Sequence, residues 1–393
     1  MKYVVLVPDG CADVALDELG GRTPLEVARL PNLQALAAQS EVGRARVIPA
    51  GLPPGSDVGN MAILGYDPAE YHTGRAPIEA AAMGVALGRD EIAYRCNLVT
   101  VSDGDPPLMV DFAAGHVSSE QSHPIIAALD SALGAGRDGV RFHAGVEYRH
   151  LCVVPREWTD AECTPPHDLT GAAVAWPTGP AAPKLQQLMD ASRAVVRDAA
   201  ATVDSVATQI WLWGQGATPA LPSFAQTYGV EGRLTSAVDL VQGLGVLTGI
   251  EIVDVPGATA GFDNDYRAQA DACVKSLEDR DFFLVHVEAT DEAGHQGLAE
   301  VKVDALERWD TDIIAPVIGA LRASGTPFRV MLLPDHATPC TIRTHTDEPV
   351  PYLFFDSERP GPGGTYSESG VADAPVIDAH ELMSRLLAKG NPR

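Results

Sequence analysis

The sequence predicts an α/β protein: a central, mostly parallel sheet between helices, with an inserted α+β cap domain. Three observations predict it. Continuous apolar runs at residues 3–7 (Tyr-Val-Val-Leu-Val), 282–287 (Phe-Phe-Leu-Val-His-Val) and 328–333 (Phe-Arg-Val-Met-Leu-Leu) suit strands buried on both faces of a parallel sheet. Helical patterns lie between the later runs, as βαβ units require. From Ala93 to about Val230 the texture changes to short strand-like runs broken by Gly, Pro and His. We therefore expect a core from residues 1–94 and 231–393, and a cap from residues 95–230.

In chain order, the first strand ends at Pro8-Asp9-Gly10. Residues 23–39 predict a helix with Pro24 in its first turn and a break at Pro31. Pro53-Pro54-Gly55 form a tight loop that feeds a helix closing near Gly65, with Ser56 at or near the N-cap. An Ala-rich helix starts near Pro77. In the cap, strands are expected at 96–101, 151–154 and 210–213, and a helix over 183–203. Proline keeps 164–168 and 175–183 irregular. The core resumes with helices at 236–247 and 266–278, a strand at 251–255, the 282–287 strand, and a long helix over 303–324. The 328–333 strand, a strand at 351–355, a Gly-rich loop at 361–370 and a helix at 379–388 complete the chain.

Composition narrows the function. Net charge is −25, which disfavours nucleic acid and anionic membranes as partners. The six cysteines are scattered, with no C-x-x-C pair, so neither a zinc knuckle nor a disulfide framework is expected. No apolar run is long enough for a signal peptide or a membrane span. A reduced, cytoplasmic enzyme acting on a small molecule is the expectation.

Each of the three apolar strands runs directly into an acid: Asp9, Asp291 and Asp335. In open α/β sheets, ligands collect at the carboxyl ends of strands, so the acids have a route to one site. Asp291 and His295 stand four apart and can point the same way from one helical turn. His336 follows Asp335, and His345 comes soon after. Carboxylates and imidazoles without thiolate suit Mn²⁺, Mg²⁺, Zn²⁺ or Co²⁺. With Ser56, seven ligands are too many for one ion and about right for two, the arrangement of phosphoryl transfer. A turn or a surface role for each residue alone does not predict acids after all three strands.

The same residues resemble the alkaline phosphatase superfamily: Asp9-Gly10, Pro54-Gly55-Ser56-Asp57, Asp291-x-x-Gly294-His295, Asp335-His336 and a late His345. Leu64-Gly65-Tyr66-Asp67-Pro68 and Tyr71-His72-Thr73-Gly74-Arg75 resemble more closely the archaeal-type, cofactor-independent phosphoglycerate mutases. The resemblance implies an alkaline-phosphatase-like core and two divalent metals, most simply Mn²⁺. Asp291, His295 and His345 would hold one; Asp9, Asp335, His336 and the Ser56 oxygen would hold the other. Ser56 would be the nucleophile, passing through phosphoserine as 3-phosphoglycerate and 2-phosphoglycerate interconvert without 2,3-bisphosphoglycerate. Asn60 stands where these mutases usually have histidine, and Ile342-Arg343-Thr344-His345-Thr346 is closer to a sister subgroup with a proposed homoserine kinase role. Phosphotransfer to another small alcohol, or plain phosphatase activity, is the alternative. A phosphorylated hydroxy acid needs cations and acid–base groups, for which His116, Arg149, His150, His167, Asp168 and Arg75 are candidates.

Overall fold

The computed structural model describes residues 1–388. Its strands are β1 (Lys2–Pro8), β2 (Glu41–Arg46), β3 (Glu91–Val101), β4 (Met109–Asp111), β5 (Arg141–Val146), β6 (Arg149–Pro155), β7 (Gln209–Gly216), β8 (Gly232–Thr235), β9 (Glu251–Ile252), β10 (Phe282–Val287), β11 (Phe328–Leu332), β12 (Val350–Asp356) and β13 (Val376–Asp378). The chain divides into two compact units, Met1–His72 with Ala220–Arg393, and Thr73–Pro219.

The first unit holds an eight-stranded sheet in the order β13-β2-β12-β11-β1-β10-β8-β9. Only β11–β12 and β12–β2 pair antiparallel; the other five neighbours are parallel. The sheet is therefore mostly parallel, as the apolar runs predict. Val4, Leu6, Phe283, Val285, Val330 and Leu332 pack with Leu33, Leu36, Cys273, Trp309 and Val317. The alternate positions Val5, Val7, Leu284 and Met331 are fully buried as well, so both faces are covered. Each such side chain contributes about 1.5–3 kcal/mol of burial.

The break expected at Pro31 divides residues 23–39 into two helices, Pro24–Val27 and Pro31–Ala37, because proline disfavours the helical conformation in the residue before it. Two other elements differ from the sequence expectation, each for a local reason. The long helix predicted over 303–324 begins at Ala299 and is interrupted by a π turn, Asp310–Ile314. There the buried Asp310 carboxylate accepts from the N–H groups of Asn32 and Leu33, at 3.2 and 2.6 Å. It caps the Pro31–Ala37 helix, whose own N-cap position, Leu30, has no side-chain cap. The strand expected over 251–255 is only Glu251–Ile252, a short edge before Pro256.

The second unit is a five-stranded antiparallel sheet, β4-β3-β6-β5 with β7 also on β3. Helices Ser119–Leu133 and Ala182–Thr202 cover Tyr94, Cys96, Leu98, Cys152 and Leu212. The unit begins at Thr73, not at 95, and ends at Pro219, not at 230. A boundary at 95 would cut β3, whose Ala93 and Leu151 of β6 cluster with Ala76 and Ala80 of helix Ala76–Ala82.

Candidate metal centre and active site

The acids gather where β1, β10 and β11 end. Asp9 follows β1, and its N–H continues the ladder to Val287 O at 2.9 Å. Asp291 and His295 lie one turn apart on helix Ala289–Gln296, and Asp335-His336 follow β11 after Leu333 and Pro334. Asp9, Asp335 and His336 are fully buried and Asp291 nearly so.

Two clusters of ligand atoms result. In the first, His295 Nε2 and His345 Nε2 stand 3.2 and 3.5 Å from the Asp291 carboxylate and 2.9 Å from each other. The opposite nitrogens are engaged: His295 Nδ1 donates to Arg343 O at 3.0 Å and His345 Nδ1 faces Pro54 O at 3.4 Å. Both Nε2 lone pairs therefore face each other, and a proton or a metal ion has to stand between them. In the second, His336 Nε2 lies 3.5 Å from Asp9 Oδ1, 3.6 Å from Asp335 Oδ2 and 3.2 Å from Ser56 Oγ. Both Asp9 oxygens are buried without a hydrogen-bond partner among the described residues. Burial, then the carboxylates of Asp335 and Asp291, push the Asp9 acid well above its usual range. A buried carboxylate without a formed hydrogen bond, as at Asp9, fits a divalent cation.

Hydrogen bonds orient these groups. Thr338 Oγ1 donates to Asp291 Oδ1 at 2.5 Å. Its lone pairs then face His336 Nδ1 at 3.1 Å, so His336 carries its proton there and presents Nε2 to Ser56. Burial lowers His336 to about 4, which keeps that nitrogen unprotonated. His295 behaves oppositely: burial opposes its charge, but the Asp291 hydrogen bond wins and raises it to about 9. Asn60 Nδ2 donates to Asp335 Oδ2 at 2.7 Å and to Ser56 O at 3.0 Å, tying the serine helix to the acid.

Ser56 is not the N-cap. Gly55 occupies that position and Ser56 is the first residue of helix Ser56–Ile63. Its hydroxyl meets His336 Nε2 at 3.2 Å. Gly59 explains how closely this helix approaches: a Cβ there would sit 2.0 Å from Asp335 O. Sequence reasoning assigned no site role to Asp57, His72, Asn60, Thr338 or His286. Asp57 Oδ2 pairs with His72 Nε2 at 2.8 Å. His286 lies 3.3 Å from Asp9. Its only sequence signal is a polar residue inside an apolar strand.

The remaining candidates belong to the second unit. On one face of its sheet, ring contacts run from His116 to Tyr148, Phe112, His167 and Trp213. Cations border that run: Arg149 over Tyr148, and the buried Arg95 over Trp213 at 4.4 Å. Arg75 and Arg95 share Glu79. Asp168 is exposed beside the exposed His167, 3.7 Å away. His150 does not join this group. Neighbours on a strand point to opposite faces, and His150 is buried on the other side from Arg149. Its Nδ1 accepts from Gly145 N–H, and burial drives it down to about 3.

Known proteins place this geometry in a family. A sequence profile described as 2,3-bisphosphoglycerate-independent phosphoglycerate mutase matches residues 37–202. A protein of that name from Methanosarcina acetivorans is 42% identical, covering 98% of this chain and all of its own. Another, from Methanothrix thermoacetophila, is 46% identical over 91% of both chains. In fold, a Pyrococcus horikoshii protein superposes with a TM-score of 0.80 at 24% identity, covering 100% of this chain and 99% of its own. The cofactor-independent phosphoglycerate mutase of Thermoplasma acidophilum gives 0.62 at 23% identity, covering 99% of this chain and 100% of its own. An α/β fold with buried acids and imidazoles gathered at the strand ends, close enough to hold metal ions, fits the class of phosphoryl-transfer enzymes. The chain belongs to the family of 2,3-bisphosphoglycerate-independent phosphoglycerate mutases.

Proposed function

We propose that this chain interconverts 3-phosphoglycerate and 2-phosphoglycerate without 2,3-bisphosphoglycerate, and that Ser56 carries the phosphoryl group between the two oxygens. The observation that carries the proposal is the placement of Ser56 Oγ 3.2 Å from His336 Nε2, beside Asp9, whose buried oxygens without a hydrogen-bond partner among the described residues call for a cation. Asp291, His295 and His345 would hold one divalent ion; Asp9, Asp335, His336 and Ser56 would hold a second. The donor set suits Mn²⁺. Such ions acidify the serine hydroxyl and neutralise phosphoryl charge.

The chain's own groups do the rest. Ser56 Oγ attacks phosphorus as the bond from phosphorus to the substrate oxygen breaks, and the serine proton ends on that oxygen; the neighbouring hydroxyl of the glycerate then attacks the phosphoserine, the bond to Ser56 Oγ breaks, and a proton returns to Ser56. The first-turn N–H groups of helix Ser56–Ile63 have no acceptor within the helix and can bind phosphoryl oxygens. Asn60 and Thr338 hold Asp335, His336 and Asp291 in place for both steps. Arg75 and Arg149, with Arg95 added, are the cations that a phosphorylated hydroxy acid requires, and His116, His167 and Asp168 are the acid–base candidates. The six free thiols, five of them buried, suit the reducing cytoplasm.

Phosphorus NMR tests this. With Mn²⁺ and 3-phosphoglycerate alone, 2-phosphoglycerate should accumulate to equilibrium, and EDTA should stop it. Release of ADP from ATP with homoserine, with no mutase turnover under the same conditions, would transfer the assignment to the other acceptor.

A further inference from the structure

His286 sits inside β10, paired in register with Val7 of β1, two residues before Asp9. Its side chain is fully buried, with Nε2 at 3.3 Å from Asp9 Oδ2 and 3.8 Å from Asp335 Oδ2. That nitrogen makes no hydrogen bond among the described residues. Asp9, His286 and Asp335 are close enough to share a cation, so distance alone allows His286 to be a ligand. The other ring nitrogen decides otherwise. His286 Nδ1 lies 3.1 Å from Ser236 Oγ, and Ser236 Oγ already accepts from Val238 N–H at 3.0 Å. The serine hydroxyl has one hydrogen, and the acceptor it meets among the described residues is His286 Nδ1. With Nδ1 accepting, the neutral ring carries its proton on Nε2.

We infer that His286 is a positioning residue. Ser236, just after β8, holds it as an Nε2–H donor aimed between Asp9 and Asp335, so it orients those carboxylates from behind and is not itself a cation ligand. A ligand would need the Nε2 lone pair that this tautomer lacks. The arrangement spans three adjacent strands, with Ser236 after β8, His286 on β10 and Asp9 after β1. Gln269 Nε2 fixes the base of the ring through His286 O at 3.1 Å. The inference rests on the reading that Asp9 and Asp335 serve the metal centre. Partners of this kind change metal affinity by about 10–100-fold.

The test has two parts, both on the full chain. Long-range ¹H–¹⁵N correlation on histidine-labelled protein, without metal and loaded with Zn²⁺, reads the tautomer. The His286 signals are identified by their loss in His286→Gln. A proton on Nε2 in both states is expected; a bare Nε2 in either state overturns the inference. Calorimetric Mn²⁺ titration reads the consequence. His286→Leu should weaken Mn²⁺ binding about 10–100-fold, and His286→Gln, whose amide can donate from a similar position, should recover most of it. Unchanged affinity in His286→Leu, or loss of one Mn²⁺ equivalent in both variants, contradicts the positioning role. Ser236→Ala, which leaves the ring in place but frees its tautomer, should fall between wild type and His286→Leu; wild-type affinity there would also count against it. If wild type binds no Mn²⁺, the metal reading fails, and the metal-free spectrum still decides the tautomer.

Discussion

Thr338 links the two ligand clusters through one hydroxyl, which makes it the sharpest single-residue probe of the centre. Thr338→Val keeps the shape and removes both hydrogen bonds, so His336 loses the partner that fixes its tautomer. Mn²⁺ affinity should fall about 10–100-fold by calorimetry, with little change in fold by circular dichroism. His150 gives a residue-scale prediction away from that centre. Burial lowers its folded value to about 3, against an ordinary 6.5. Between those values the unfolded chain takes up a proton that the folded chain refuses, so stability falls as pH drops through 6.5. The slope is up to about 1.4 kcal/mol per pH unit. Urea unfolding of wild type and His150→Gln should show the wild type losing about 2 kcal/mol more between pH 7.5 and pH 5; parallel curves would refute a buried neutral imidazole. At this scale Asp9, Asp291 and Asp335 were legible, because each follows an apolar run. His286 was not, because one polar residue within such a run reads as core. Thr338 was not, because its partner Asp291 lies 47 residues away in sequence.

Elements were legible where local pattern decides them and obscure where a distant group does. The strands β1, β10 and β11 announce themselves by composition. The π turn at Asp310–Ile314 does not, since its aspartate caps a helix that starts at Pro31. Asp310→Ala should therefore destabilise two elements, costing about 1–3 kcal/mol for the uncapped N–H groups, measured by denaturant unfolding. Helix Ser56–Ile63 has a similar dependence. Its approach to Asp335 needs Gly59, and Gly59→Ala drives a methyl group into a backbone carbonyl. Relief costs about 1–3 kcal/mol and moves Asn60 and Asp335 together, so stability and Mn²⁺ affinity should fall in parallel. The sequence motif around Ser56 marked the helix start and put the serine at or near the N-cap; it is the first residue of the helix. Gly55 takes the cap with an extended backbone, φ 171°.

At the scale of the molecule, the seven expected metal-site residues all lie in the unit built from Met1–His72 and Ala220–Arg393, and the expected substrate contacts all lie in Thr73–Pro219. The chain's division was legible as a change of texture. Its edges were not, because β3 belongs to the same sheet as β6 and β7 and brings helix Ala76–Ala82 with it. Metal should therefore stabilise one unit selectively. At about 100 times its dissociation constant, a bound ion adds about 2.7 kcal/mol. Calorimetry with Mn²⁺ and then EDTA should shift the transition of the Met1–His72/Ala220–Arg393 unit, while one assigned to Thr73–Pro219 stays within a degree or two. Ser56 is the residue on which the proposed phosphoryl transfer depends. Its most direct test is turnover of 3-phosphoglycerate by Ser56→Ala, loaded with Mn²⁺ and shown by calorimetry still to bind the ion held by Asp291, His295 and His345. Loss of mutase activity by at least about 10³-fold is the predicted result; turnover near the wild-type rate would contradict the claim that Ser56 carries the phosphate.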